Sequence, residues 1–425
     1  MFSRVFDTFR NIFKLEETRK RVLFTIFILF IYRVGANIAL VPGVKSDALS
    51  SLADAAGPLN IIGNFSKLSI FSMGVMPYIT ASIIMQLVAI VVPKIERMLK
   101  EDVDGRKKYN KITKFLAVFL GIFQAIALTR GFSSAFVDMP MAMYALVILS
   151  MTTGTLIMIW FGEKITEKGL GNGISLLIFI NIISRLPQGL QALYSYAING
   201  KLVPILGIVA FAVPVIMIIV LMQGAERRIL VQYSKRSGVT ATAHKSHIPL
   251  KLNMAGVMPV IFAMSLMQLP AVISKVVVNL SLGSETTIAF WEKIAIYSRY
   301  DKNGWAALAY TLLIMFFAYF FVSVQGINPV QVAENIKKSA GFIPGVRPGK
   351  ETVDYLRKVV NTITFVGAIF LAAIALLPAI TGVLSGIDGL GFGGTSLLIA
   401  VGVALDTMRQ LEAKMITRNY KGFLN

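Results

Sequence analysis

The chain has 425 residues, of which 56% are hydrophobic and 15% charged, and its mean hydropathy is +0.70. Apolar runs of about twenty residues recur along its whole length, which excludes a water-soluble multidomain protein and indicates a polytopic helical membrane protein. It contains no cysteine, so disulfides, thiolate zinc sites, iron–sulfur clusters and thiol nucleophiles are excluded together; the net charge of +20 is informative through its placement.

In chain order, residues 1–20 come first. Phe2, Val5, Phe6, Phe9, Ile12 and Phe13 recur at helical spacing with Arg4, Arg10, Lys14, Arg19 and Lys20 between them. That pattern predicts an amphipathic helix lying at the cytoplasmic membrane surface, not a cleavable signal peptide. Ten spans follow, at 21–41, 73–92, 112–130, 140–161, 170–187, 203–223, 253–274, 305–325, 358–378 and 392–408. Tallied by loop, one side holds about 32 basic residues and the other about 9, which puts both termini in the cytoplasm. Arg33 lies inside the first span. Ten spans divide into halves at 21–200 and 201–408, with a cytoplasmic tail at 409–425. Five is odd, so two halves of like structure are inverted with respect to each other, an architecture that places a pathway at their interface.

Between the first and second spans, residues 56–86 read as a span that breaks and restarts. Leu59, Ile61 and Ile62 begin an apolar segment that Gly63, Asn64, Ser66 and Lys67 interrupt within about two helical turns. Such a half-element cannot face lipid, where each unpaired backbone group costs several kcal/mol. It must lie in protein or in a water-filled cavity.

Two cytoplasmic loops, 224–252 and 326–357, exceed the length of connectors. In the first, apolar and polar residues alternate around Ile229, Val231 and Tyr233, and Ser234-Lys235-Arg236-Ser237-Gly238 supplies a turn, so a protruding hairpin is predicted. In the second, Asn328 caps a short helix, Pro329 takes its first position, Lys337 and Lys338 lie near its end and Gly341 stops it. Pro344-Gly345-Val346-Arg347-Pro348-Gly349-Lys350 then forms a stiff turn with Arg347 at its tip. Glu163 and Glu167, beside Lys164 and Lys168, read as local salt bridges.

Catalytic constellations are missing. His244 and His247 lie in a basic loop, no H-E-x-x-H is present, and the approach to Gly349-Lys350 has Pro344 and Glu351 where a phosphate-binding loop needs Gly and Ser/Thr. An enzyme is therefore not expected, and neither a metal nor a cofactor. A secondary transporter, the strongest alternative, also uses inverted repeats and broken helices. Transporters place acidic residues in their spans for coupling ions, whereas Asp406, near a cytoplasmic edge, is almost the only acid in these.

The motifs G-x-M-P-Y-I at 74–79, G-E-x-I-T-E-x-G-x-G-N-G-I-S at 162–175, N-M-A-G-V at 253–257, F-x-P-G-x-R-P-G at 342–349 and F-G-G-T-S-L-L-I at 392–399 resemble the SecY family, the channel subunits of the Sec protein translocase. They occur in family order and cover nearly the whole chain. The resemblance implies ten helices in two inverted halves around an hourglass pore that conducts unfolded polypeptides. It implies a plug at about 57–71, centred on Leu59, Asn60, Ile61, Ile62, Gly63, Asn64, Phe65, Ser66 and Lys67. It also implies an apolar constriction of Val75, Ile79, Ile174, Ile178, Ile261 and Ile399, where Val75 departs from the usual isoleucine but stays apolar. Such a ring blocks ions by dewetting. A lateral gate between the second and seventh spans is implied as well, carrying the polar residues Thr80, Gln86 and Asn253. The basic loop residues Arg227, Arg228, Lys235, Arg236, Lys245, Lys251, Lys337, Lys338, Arg347 and Lys350 would meet the SecA motor ATPase or the ribosome, whose phosphates attract them. SecE and SecG are the implied membrane partners, translocating signal-bearing polypeptides the clients, and a bacterial inner membrane the location.

Overall fold

The computed structural model describes residues 16–38, 41, 43, 68–100, 103–131, 140–184, 186–187, 191, 194, 198, 202–233, 245–279, 285–297, 303–326, 328–385 and 394–419. A helix stands at every predicted span: α1 (Glu16–Ile38), α2 (Met76–Val91), α4 (Val103–Gly131), α5 (Met141–Lys168), α6 (Gly173–Ile183), α7 (Leu202–Gly224), α8 (Met258–Asn279), α10 (Gly304–Gln325), α12 (Lys350–Ser385) and α13 (Gly394–Asn419). Three more, α3 (Pro93–Lys100), α9 (Glu285–Tyr297) and α11 (Pro329–Lys338), lie in connections, and only the last was expected.

The helices often run past the predicted membrane boundaries. α4 begins at Val103, α5 continues to Lys168, α12 begins at Lys350 and α13 reaches Asn419. A hydrophobic run marks the part of a helix that sits in lipid, while backbone hydrogen bonding carries the helix on into water. Asp104 and Glu351 in first turns suit these extensions, because acids there complement the helix dipole. α3 arises from a break: Val92 is extended (φ −108°, ψ 103°) before Pro93, as the clash with a following proline ring demands. The chain bends there by 116°.

Among the described residues, α1, α4, α5, α10 and α12 contain stretches long and apolar enough to cross a membrane unaided, and α2 with α3 passes as a bent pair. α2 alone, with 16 residues, spans about 24 Å against a hydrocarbon core of about 30 Å. A helix of that length suits a span that restarts inside the membrane. Phe115, Phe119, Leu149 and Trp305 expose more than half of their surface, as lipid-facing side chains do.

The chain divides into two compact units, Met1–Gln188 with Ser265–Ser298 and Val403–Asn425, and Gly189–Met264 with Arg299–Gly402. In the first, α2 packs on α4, α4 on α5, and α5 on both α1 and α6. In the second, α10 and α11 pack on α12 beside a three-stranded sheet. Strands β1 (Glu226–Tyr233) and β2 (Lys245–Lys251) pair antiparallel with Ile229 opposite Ile248. Strand β3 (Gly341–Phe342) adds to the other edge of β1 at Gln232 and Tyr233. Phe262 of α8 meets Phe321 and Phe317 of α10 edge-on at 4.8 and 5.8 Å between ring centres, a favourable aromatic arrangement.

Candidate functional site

The side chains expected at the constriction share one local setting: each stands in the first turns of a helix, or at its cap. Val75 is the N-cap of α2 and 1% exposed, and its carbonyl accepts from the amide of Ile79 at 3.0 Å. Ile174 and Ile178 occupy the first two turns of α6, the former half-buried and the latter buried. In the second unit, Ile261 ends the first turn of α8, its amide bonded to the Val257 carbonyl at 3.3 Å, and Ile399 lies in the second turn of α13; both are buried. Glycines in the left-handed region precede three of these starts, Gly74 (φ 55°), Gly171 (φ 73°) and Gly256 (φ 65°). Only glycine adopts that conformation at little cost, so the chain can turn sharply and begin a new helix there.

The long motif at 162–175 is the best-determined of these starts. Asn172 caps α6, its side-chain oxygen accepting from the amides of Ile174 at 3.1 Å and Ser175 at 3.4 Å. The Thr166 hydroxyl accepts from the amide of Gly173 at 2.9 Å and donates to the Gly162 carbonyl at 2.8 Å. The Thr25 hydroxyl of α1 accepts from the amide of Leu170 at 3.1 Å, and Leu170 packs with Leu411 and Val22. A Cβ at Gly173 would overlap the Gly162 carbonyl. The motif thus fixes the α5–α6 turn against α1 and α13 within one unit, and that sets the position of Ile174.

The expected plug residues Leu59, Asn60, Ile61, Ile62, Gly63, Asn64, Phe65, Ser66 and Lys67 lie outside the described residues. Of the predicted gate residues, Thr80 donates to the Met76 carbonyl at 3.1 Å and the Gln86 amide donates to Ser82 at 3.1 Å, both within α2. Asn253 donates to the Gly256 carbonyl at 3.0 Å and is buried, bracing the turn that leads into α8.

The two long loops form one body in the second unit. Ile229, Val231, Leu250, Ala333, Ile336 and Ile343 share an apolar cluster with Leu356, Val359, Val360 and Ile363 of α12. Its outside is basic: Arg227, Arg228, Lys337, Lys338, Arg347 and Lys350 are exposed. Lys235 and Arg236, expected in the turn of the hairpin, lie outside the described residues. Asn328 caps α11 as expected, accepting from the amide of Val330 at 3.0 Å. The stop differs: Ala340, not Gly341, takes the left-handed conformation (φ 52°). Gly341 is instead required by packing, since a Cβ there would stand 2.9 Å from the Tyr233 ring. Ile343 to Val346 is a type II turn with Pro344 and Gly345 (φ 83°) at its centre, closed by a 3.0 Å bond from the Val346 amide to the Ile343 carbonyl. The Arg347 carbonyl accepts from Thr352 at 2.9 Å, and the residue is exposed.

The salt-bridge expectation needs one correction. Glu167 pairs with Lys164 at 2.8 Å, one helical turn away. Glu163 instead reaches across to Lys114 of α4 at 2.5 Å, because α4 packs alongside α5 and α5 continues past its predicted span to Lys168. Sequence reasoning also missed Gly35 and Gly154, which receive Phe71 and Ile70 in close contact. The run Thr152-Thr153-Gly154-Thr155 inside an apolar span was the available signal, since small residues in spans mark close helix approach. Among the described residues no group of His, Asp and Glu could hold a metal ion.

The sequence model of the SecY family matches residues 69–408. Two proteins named Protein translocase subunit SecY are similar to this chain over nearly its full length. That of Halalkalibacterium halodurans is 40% identical, covering 99% of this chain and 100% of its own; that of Thermotoga maritima is 39% identical, covering 99% and 98%. Among solved structures, a SecY channel studied for how its plug domain stabilises the closed state aligns with a TM-score of 0.68 at 20% identity, covering 94% of this chain and 93% of that one. The Sec61 channel of a canine ribosome–channel complex aligns at 0.62 and 18%, with the same coverage. At these identities the structural likeness shows the fold alone, a predominantly helical polytopic one, and the helices found at the ten predicted spans fit it.

Proposed function

The chain belongs to the SecY family, and from that premise we propose how its parts act. It is a protein-conducting channel of the membrane, and not an enzyme. The observation that carries this is the full-length similarity to translocase subunits at 40% identity, joined to the setting of the family motifs at helix starts.

In the proposed cycle, Val75, Ile79, Ile174, Ile178, Ile261 and Ile399 form the constriction, closing around a passing chain while their apolar surface keeps ions out. The segment 57–71, centred on Leu59 to Lys67, plugs the channel at rest. Thr80, Gln86 and Asn253 belong to a lateral gate through which transmembrane segments leave for lipid. The support for the gate is modest polar chemistry on the second and seventh spans, with hydrogen bonds of about 3 Å. Arg227, Arg228, Lys235, Arg236, Lys337, Lys338, Arg347 and Lys350 form the cytoplasmic docking face. One apolar cluster under both loops supports treating them as a single surface.

The sequence carries no ATPase motif, and we assign the energy to a cytoplasmic motor, to translation or to the membrane potential. We assign SecA or a ribosome to the basic face, SecE and SecG to the membrane, and a bacterial inner membrane with both termini cytoplasmic as the location, the last on the strength of the positive-inside bias. The test is reconstitution of the full chain with SecE, SecA and ATP, scored by protease protection of a secretory precursor. Protection is expected. Absence of protection together with coupled uptake of a small solute would establish the transporter alternative instead.

A further inference from the structure

Strand β2 ends at Lys251 and α8 starts at Met258, so a short connector, Leu252 to Val257, joins the body of the two cytoplasmic loops to that helix. It is not a loose linker. The Leu252 amide continues the ladder of the sheet, donating to the Ala225 carbonyl at 2.9 Å. Asn253, 8% exposed, donates from its side chain to the Gly256 carbonyl at 3.0 Å and closes the turn. Gly256 stands at φ 65°, and the Val257 carbonyl then accepts from the Ile261 amide in the first turn of α8. Leu252, Met254 and Ala255 pack against the apolar cluster beneath the loops.

Each end of the connector is seated on a glycine of a neighbouring helix. A Cβ at Gly367 of α12 would stand 2.9 Å from the Leu252 carbonyl oxygen. One at Gly402 of α13 would stand 2.9 Å from Cγ1 of Val257 and 3.1 Å from Nε2 of Gln223, at the end of α7. Both glycines lie inside helices, where glycine is less favourable than alanine, so the close approach of the connector is what accounts for them. Gly367 is one turn beyond Ile363, a member of the cluster, on the helix whose start carries Lys350 of the basic face. Beyond the connector, Phe262 follows Ile261 and meets Phe317 and Phe321 of α10, and α10 packs on α12. One packed path within the second unit therefore runs from the basic face to the first turn of α8. Close-packed interiors transmit displacement and do not absorb it.

We propose that Gly367 and Gly402 are positioning residues that seat 252–257 as a rigid joint, so that the docking face and the turn of α8 carrying Ile261 move as one piece. The proposal rests on the readings of the basic face as a docking surface and of Ile261 as a constriction residue, and it adds the route between them. A motor bound at Lys337 or Arg347 acts on the constriction through the connector. Asn253, singled out for its polarity, closes that joint.

The cysteine-free chain allows spin labels at Gln331→Cys on α11, which is exposed, and at Met258→Cys, which is half-buried. In the full chain reconstituted with SecE, their distance is expected to stay within about 2 Å of its resting value when SecA binds and a precursor is stalled, since larger shifts mark a rearrangement. A larger change with SecA bound overturns the joint and leaves the docking reading. Failure of SecA to bind the native complex overturns the docking reading and the joint with it. Gly402→Ala is expected to keep SecA affinity within about twofold while lowering the translocation rate about tenfold, as substitutions along a coupling path do. Adding Val257→Ala removes the atom that the new methyl meets, and the double variant is expected to recover to within about twofold of the wild-type rate. Gly224→Ala, whose Cβ would meet nothing within 4 Å, changes neither quantity. Equal falls in affinity and rate would assign Gly402 to the folding of the docking face and overturn its place in the joint. A wild-type rate in Gly402→Ala, or a double variant as slow as the single one, would overturn it as well. Should Gly402→Ala fail to insert, the label pair in the otherwise native chain decides.

Discussion

Lys114 on α4 and Glu163 on α5 form an ion pair at 2.5 Å that ties two neighbouring helices together at the start of one predicted span and just past the end of the other. Their side chains are 41% and 32% exposed, so water and salt screen the attraction. Glu163→Gln should therefore cost less than about 1 kcal/mol. Thermal denaturation in detergent at low salt is expected to show a small loss for the variant, and the loss should vanish near 1 M salt, where the screening length is about 3 Å. A large, salt-independent loss would mean that Glu163 is engaged in packing and not in a screened pair.

The cap of α6 offers a sharper perturbation. Asn172→Ala leaves the amides of Ile174 and Ser175 without their acceptor and should destabilise the helix start by about 1 kcal/mol. Because Ile174 is held by that turn, the resting channel should leak small ions more readily in planar-bilayer recordings. Asn172→Asp, which keeps the acceptor, should restore the seal. An equally leaky Asp variant would show that the cap is not what positions Ile174.

Charge reversal at Arg347 tests the docking face. Arg347→Glu should lower the translocation rate in the reconstituted system by about tenfold, which corresponds to about 1.4 kcal/mol in partner binding. The Thr352 bond is made by the backbone of residue 347, so circular dichroism and membrane insertion should be unchanged. Wild-type translocation by this variant would remove Arg347 from partner coupling.

Ile336 of α11 is 5% exposed and lies in the cluster shared by both cytoplasmic loops. Ile336→Ala should cost about 2–5 kcal/mol locally, loosening α11 from the sheet and from α12. Hydrogen exchange should rise together in 226–233, 329–338 and the start of α12. An increase confined to α11 would show that the loops are energetically separate.

Deleting residues 60–67 should leave membrane insertion intact and raise ion conductance of the resting channel. A deleted channel as tight as the intact one would count against a plug in this segment.

Much of the molecule was legible in the sequence because the bilayer imposes a simple code. Every span must be an apolar helix, so each predicted span met a helix. The Asn328-Pro329 start of α11 and the alternation around Ile229 and Val231 were equally readable, since caps and period-two patterns are local. The residues proposed for the constriction could be singled out only through the family motifs. As isolated isoleucines at helix starts, they do not differ from packing residues. Helix ends were poorly read, as at Val103 and Lys350, because hydropathy reports lipid contact and not hydrogen bonding. α3 and α9 escaped for the same reason.

By itself, the sequence determined the class, the span order, the charge bias and the interruptions ahead of the second, fifth and seventh spans. All of these follow from residue type and spacing along one chain. Tertiary structure alone decided which partners those residues meet. It gave Glu163 its lysine on another helix, joined two loops about a hundred residues apart over one apolar cluster, and set Ile70 and Phe71 against Gly154 and Gly35. Contacts of that kind depend on where helix faces come to rest, and a small residue in an apolar run does not say what approaches it.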